Sequence, residues 1–372
     1  MESSPRLNRY LCDDGPFILD GGLATDLEAQ GVHLQGDPLW SARLLYTNPQ
    51  AIRDAHCRFL LSGADVISTA TYQASVEGFM DHLNVSSEGA KELIMSGVQL
   101  AKEAVESFVP GTNPNTTVQS GEGKVNSEGS EGLAGQCSSG RRCPLVAGSL
   151  GPYGAFLHNG SEYTGDYAEK MSVQELKAWH RPQVECLAAA EADVLAFETI
   201  PSIKEAEALV ELLKEFPNTK AWLSLSCKDV KRLSDGSLFR DAVQIANRSE
   251  QLIAVGVNCC PPELVEPLLD SARTLLSPEI SWVVYPNSGE SWDPEQGWCT
   301  SEAALPALLE MSGTWVKQGA ALIGGCCRIS PAHVAKLRRH LKGSRGSPTS
   351  EPRPKCKPSL HTGRKRDHAL VV

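Results

Sequence analysis

The sequence predicts a closed (β/α)8 barrel. Three observations lead there. Apolar runs of four to eight residues alternate with helical stretches through most of the 372 residues. Eight such strand–helix units follow one another, which favours a barrel over other layered α/β arrangements. The runs are continuously apolar, as expected for parallel strands covered on both faces. An open doubly wound sheet is the alternative; no G-x-G-x-x-G follows the first strand, which counts against its dinucleotide-binding version.

Taken in order, the first strand is Phe17-Ile18-Leu19, running into Asp20-Gly21-Gly22. After Asn48-Pro49, residues 51–61 place Ile52, Ala55 and Phe59 on one helical face, and Ser62-Gly63-Ala64 ends that helix. Residues 65–72 form the second strand, and 87–108 a long helix behind a Ser87 cap. Residues 111–142 are Gly, Ser, Asn and Thr without periodicity and read as a flexible insertion. Cys137 and Cys143, in or beside it, receive no role. Strands then follow at 145–151, 194–199, 221–226, 252–259, 282–287 and 320–323, each with a helix after it. The last helix, 331–341, opens with Ser330 as N-cap and Pro331 at its first position. Residues 1–342 are thus read as one barrel domain. Residues 343–372 form a disordered tail with seven basic residues against two acidic. Arg364-Lys365-Arg366 reads as part of a solvated tail rather than a targeting patch.

Composition is ordinary for a globular chain, 41% hydrophobic and 22% charged. The net charge of −10 argues against a nucleic-acid partner. No run approaches 18 apolar residues, so no membrane span is expected. Residues 1–14 lack the apolar core of a secretory signal. The expected compartment is the cytoplasm, where the 12 cysteines are reduced thiols. Oligomeric state is left open, with a monomer allowed.

In such a barrel the strand C-terminal ends share one face, and active sites lie there. The polar residues at those ends are Asp20, Thr69, Ser149, Glu198, Ser226, Asn258, Cys259, Asn287, Cys326 and Cys327. Three cysteines on one rim suit a zinc site with three protein ligands and an open fourth position. The competing reading is core cysteines plus a chance doublet. Cys260 points away from Cys259 on extended chain and is read as structural. Three thiolates leave Zn2+ a poor activator of water but a suitable holder of a substrate thiol, kept deprotonated and electron-rich. Alkyl transfer to sulfur fits that chemistry. Gly324 and Gly325 are expected to leave room above the metal for the substrate sulfur and the donor.

Leu19-Asp20-Gly21-Gly22, Gly256-Val257-Asn258-Cys259 and Gly324-Gly325-Cys326-Cys327, in that order, resemble the homocysteine S-methyltransferases, from about Phe17 to Leu341. This zinc family also includes betaine–homocysteine methyltransferase and the homocysteine domain of cobalamin-dependent methionine synthase. Phe197-Glu198-Thr199-Ile200-Pro201 and Tyr285-Pro286-Asn287-Ser288-Gly289-Glu290 look most like its S-methylmethionine-using branch. The resemblance implies a TIM-type barrel, zinc on Cys259, Cys326 and Cys327, and homocysteine sulfur in the open position. It implies that Asp20 and Glu198 hold the amino acid through its ammonium group, with Thr69 near the substrate. Asn287, with Asn258, is expected to orient loops or substrate polar groups. The implied reaction moves a methyl group from S-methylmethionine, or S-adenosylmethionine, to L-homocysteine, giving methionine. Trp40 and Tyr72 are candidates to face the sulfonium through a cation–π contact of about 0.5–2 kcal/mol, or simply to pack the rim. A selenocysteine methyltransferase on the same scaffold and a non-enzymatic zinc or redox sensor are the alternatives.

Overall fold

The computed structural model describes residues 15–108, 143–289, 291–293, 297–299 and 304–343. The expected insertion at 111–142 and the tail from residue 344 onward lie outside the described residues.

Eight parallel strands form the barrel: β1 (Phe17–Ile18), β2 (Val66–Ser68), β3 (Leu145–Leu150), β4 (Val194–Ile200), β5 (Ala221–Leu225), β6 (Leu252–Asn258), β7 (Ser281–Tyr285) and β10 (Ala320–Ile323). Between β7 and β10 lies an antiparallel hairpin of β8 (Ser291–Asp293) and β9 (Gly297–Cys299). From β2 round to β10 each barrel strand pairs with the next, and β10 pairs with β1. The seam between β1 and β2 is short but closed. Leu19 bridges Val66, the Asp20 amide donates to Val66 O at 3.1 Å, and the Asp65 amide donates to Ile18 O at 2.6 Å. The open-sheet alternative is thereby set aside.

Apolar side chains fill both sides of these strands. Between sheet and helices lies the larger core, with Phe59, Phe79, Phe239, Trp282 and Trp315 fully buried. Inside the barrel lies a second cluster that includes Phe17, Leu19, Ala147, Ala196, Trp222, Ala254 and Val283. Alternate residues of a strand share a face. The inward set therefore continues upward as Ser149 above Ala147, Glu198 above Ala196, Ser224 above Trp222, and Tyr285 above Val283. Dry packing below changes to polar groups at the strand ends because the two-residue period carries it there. Gly256 is the tight point: a Cβ there would stand 1.8 Å from Val283 O. Only glycine lets β6 and β7 pair at that level.

The helices fall where the 3.6-residue period put them. Pro49–Ser62 is capped by the Asn48 side chain and ends at Gly63, whose φ of 107° is the left-handed conformation glycine favours. Ser87–Phe108 has its expected limits, but Ser86 rather than Ser87 caps it, its Oγ accepting the Gly89 amide at 3.1 Å. Pro331–Lys342 runs one residue past its expected end, and Pro331 takes the first helical turn. The last helix also locks the barrel seam. Arg338 and Lys342 each reach Asp65 at 2.7 Å, and Asp65 accepts the Ile18 amide at 3.0 Å. Short helices at Leu23–Ala29, Val76–Leu83 and Tyr153–Leu157 were not expected. They lie in strand–helix connections, too short to show a helical period. Among the described residues no helix is long and apolar enough to cross a membrane.

Candidate metal centre and substrate cavity

Cys259 follows the last residue of β6, and Cys326 and Cys327 lie three and four residues beyond β10. Their sulfurs converge. Cys259 Sγ is 3.2 Å from Cys326 Sγ and 3.7 Å from Cys327 Sγ, and all three lie within 4.8 Å of one another. A disulfide would need about 2.05 Å, so these are free thiols. Tetrahedral zinc with ~2.3 Å bonds separates its sulfur ligands by about 3.8 Å, so the trio suits one soft metal ion in both spacing and chemistry. Cys260, the neighbour, is turned into the core with 1% exposure, as its position on extended chain predicts.

The backbone around the trio is unusual. Cys259 (φ 53°), Thr199 (φ 61°), Arg328 (φ 68°) and Trp40 (φ 45°) all adopt left-handed conformations without being glycine, and all four line the same cavity. Such conformations persist where the surroundings over-determine them. Asn258 supplies much of that constraint: its Oδ1 accepts from the Thr199 amide at 2.8 Å and Ser224 Oγ at 2.7 Å, while its Nδ2 donates to Thr199 Oγ1 at 2.8 Å. Asn287 Oδ1 accepts the Cys327 amide at 3.2 Å, and the Asn287 amide donates to Cys260 O at 3.0 Å. Asn287 thus ties the two cysteine loops together from behind.

Gly324 and Gly325 have a packing basis as well, and Gly325 lines the cavity. A Cβ on Gly324 would meet Leu19 Cβ at 2.5 Å and Asp20 O at 2.8 Å; one on Gly325 would meet Ile329 at 2.3 Å. The pair lets the β10 exit lie against the β1 exit and against its own turn.

A cavity of about 270 Å³ opens above the sulfurs. Of the rim residues named from sequence, Asp20, Thr69, Ser149, Glu198, Cys259, Cys326 and Cys327 line it, as do Trp40 and Tyr72. Ser226, Asn258 and Asn287 are not among its lining residues. Asp20 is 5% exposed and is held by Ser68, whose amide donates at 2.7 Å and whose Oγ donates at 3.2 Å. Burial drives its carboxyl up to about 8, against those hydrogen bonds and with help from the nearby Glu198 charge. Glu198 lines the cavity wall, and burial pushes it to about 7, opposed by hydrogen bonds from Ser149 and Tyr285. Tyr285 is fixed in turn by Trp222 Nε1 at 3.0 Å. Thr69 Oγ1 accepts the Ser149 amide at 2.9 Å and meets Thr71 Oγ1 at 2.6 Å, so it braces β3 as well as facing the cavity. Within the thiol trio, hydrogen bonds from Cys259 and Cys326 draw Cys327 far below the usual thiol range, and Cys326 is driven above it. One thiolate forms readily there, and further ionisation needs a positive charge nearby.

Three cavity-lining residues escaped the sequence reading. Ser68 is one; continuing the inward alternation from Val66 would have found it. Glu162 and Tyr163 are the others, on a 3-10 turn (Ser161–Tyr163) after β3. Tyr163 OH lies 3.5 Å from Cys259 Sγ, and Glu162 lines the cavity with a buried Oε2 that has no hydrogen-bond partner. No local pattern marks them.

The match to known proteins covers nearly the whole barrel. The homocysteine S-methyltransferase family model matches residues 17–341. The chain belongs to the homocysteine S-methyltransferase family. It is 41% identical to a betaine-homocysteine S-methyltransferase from Drosophila melanogaster, covering 89% of this chain and 96% of that one. It is 40% identical to the Escherichia coli homocysteine S-methyltransferase, covering 91% and 99% respectively. Among solved structures, the metallated form of the homocysteine methyltransferase MmuM from Escherichia coli superposes with a TM-score of 0.72 at 38% identity, over 90% of this chain and 99% of that one. This homocysteine S-methyltransferase family member thus shares its scaffold with a protein of which a metallated form is solved.

Proposed function

We propose that this chain is a zinc-dependent homocysteine S-methyltransferase that takes its methyl group from S-methylmethionine. The observation that carries the reading is the convergence of Cys259, Cys326 and Cys327 beneath a cavity walled by carboxylates. Zinc held by these three cysteines would leave one position open and supply the positive charge that keeps a substrate thiol deprotonated near neutral pH.

The remaining work falls to the chain. Asp20 and Glu198 accept the substrate ammonium, and ion pairing with it favours their charged forms. Four carboxylates line the cavity (Asp20, Glu28, Glu162 and Glu198) against one cationic side chain, Arg328, among the described residues. That excess attracts a cationic donor, and Tyr72 and Trp40 present aromatic surface to it. The homocysteine sulfur forms a bond to the methyl carbon as the carbon–sulfonium bond breaks. The electron pair leaves with a neutral thioether, so no general acid is required. The thiol proton passes to solvent on binding. Alignment in a water-poor cavity is the protein's main contribution.

The Phe197–Pro201 and Tyr285–Glu290 segments favour S-methylmethionine over betaine. Beside the trio, Cys57, Cys186, Cys227 and Cys260 are free thiols, in keeping with a reducing, cytoplasmic setting. A donor panel of S-methylmethionine, S-adenosylmethionine and betaine with L-homocysteine tests the reading. Turnover is expected to be highest with S-methylmethionine, abolished by a chelator and restored by zinc. Turnover with betaine alone, or turnover indifferent to chelation, overturns it. Selenocysteine offered in competition with homocysteine at equal concentration decides the acceptor.

A further inference from the structure

Glu205 lies outside the cavity, at the start of the helix Ile203–Leu213, and is fully buried. A buried carboxylate is costly unless its oxygens are satisfied. Here each oxygen is engaged by the chain segment that follows β3. Glu205 Oε1 accepts the Tyr153 amide at 2.8 Å and lies 2.7 Å from His180 Nε2; Oε2 accepts the Tyr167 hydroxyl. Tyr153 begins this segment and Tyr167 lies near its end. Its neighbour Lys204 donates to Met171 O at 2.8 Å and to Ala168 O. Two adjacent side chains on one helix therefore hold both feet of a single arch.

The crown of that arch reaches the candidate metal centre. It carries Glu162, with its unpartnered buried oxygen in the cavity wall, and Tyr163, 3.5 Å from Cys259 Sγ. Apart from these, the crown is tied down by Ser226 Oγ, which donates to Glu162 O at 3.1 Å. The arch is also tightly folded: a Cβ on Gly154 would stand 2.5 Å from the Glu162 amide nitrogen. Small displacements of its feet must therefore be felt at its crown.

We infer that Glu205, with Tyr167 and His180, is a positioning residue that sets the height of the 153–167 arch and so places Glu162 and Tyr163 over the thiol trio. The inference rests on the proposed methyltransferase reading for its kinetic consequence, but not for the clasp itself. A Glu205→Gln side chain keeps the shape but replaces one acceptor oxygen with a donor. Tyr167→Phe removes a single hydroxyl and is the milder probe.

Hydrogen exchange and kinetics on the full-length, zinc-loaded protein test it together. In Glu205→Gln, and more weakly in Tyr167→Phe, amides of 153–169 should exchange about tenfold faster or more, with β5 and β6 unchanged. Both variants should raise KM for one of the two substrates by about fivefold to tenfold, with kcat within about twofold and zinc content at the wild-type level. In a cycle with Glu162→Gln, the effects should be non-additive, because a displaced crown matters little once its carboxylate is gone. Unchanged exchange in the arch overturns the clasp, in either variant that folds. Accelerated exchange with unchanged KM values, or with fully additive effects, overturns the positioning role. Should the wild-type protein show no methyl transfer, the functional reading fails while the exchange measurement still decides the clasp.

Discussion

The Cys326 sulfur stands 3.2 Å from that of Cys259 although 67 residues separate them in the chain. Neighbouring β-strand exits bring them there, since β7 lies between β6 and β10 in the sheet and the loops fold over it. Removing either sulfur should abolish metal binding and leave the barrel standing. For Cys326→Ala and Cys259→Ala, the expected outcome is loss of stoichiometric zinc and an activity drop of about a thousandfold or more, because substrate-thiol activation is lost. Metal analysis beside circular dichroism is the check; zinc retained at wild-type stoichiometry with normal turnover would refute the assignment.

Asp20 and Glu198 predict a pH dependence of both stability and binding. Their folded-state carboxyls sit at about 8 and about 7, above ordinary values of 3.8 and 4.5. The empty folded protein therefore holds more protons than the unfolded chain between those limits. Its stability is greatest below them and declines as pH rises toward 8. An ammonium ligand reverses the preference and favours the carboxylates. Methionine, which has no thiol to ionise, should bind more tightly as pH rises from 6 to 8 and release protons in calorimetry across buffers of different ionisation enthalpy. Proton uptake instead would contradict the assigned roles. Asp20→Asn and Glu198→Gln should each flatten the trend.

Asn258 is expected to be a stability residue as much as a site residue. Asn258→Ala leaves the Thr199 amide and the Ser224 hydroxyl without their acceptor in a buried layer, at a cost of about 1–3 kcal/mol. It also frees Thr199 from its left-handed conformation, next to Glu198. Urea unfolding and KM for homocysteine should both move. A variant with wild-type midpoint and wild-type KM would show that the Thr199 turn is held by other contacts.

Gly324→Ala tests the close approach of the β10 and β1 exits. Its methyl group would enter within 2.5 Å of Leu19 Cβ. The strain should cost about 1–3 kcal/mol and displace Asp20, since Asp20 O is the next nearest atom. Thermal unfolding is expected to fall, with a rise in KM for homocysteine exceeding any change for the donor. An unperturbed midpoint would mean that the strand exits separate freely.

Much of this protein was determined by its sequence alone. Buried parallel strands must be apolar on both faces, so the eight runs and the helices between them could be counted directly. A shared strand-end face then placed Cys259, Cys326, Cys327, Asp20 and Glu198 on one rim, and the glycine–cysteine motifs pointed to the family. Only the tertiary structure separated the residues that face the cavity from those that brace it. Asn258 and Asn287 sit at strand ends like Glu198, yet hydrogen bonds turn Asn258 to Thr199 and Ser224, and Asn287 to the backbone of the cysteine loops. The same holds for Gly324 and Gly325, whose need for small size comes from Leu19 and Ile329, residues distant in the chain or across a turn. Ser68 was within reach of the sequence, two residues along the inward face from Val66, but its hold on Asp20 shows only in the fold. Glu162, Tyr163 and their Glu205 clasp follow from no sequence pattern, because a loop's path is set by contacts made only after the barrel closes.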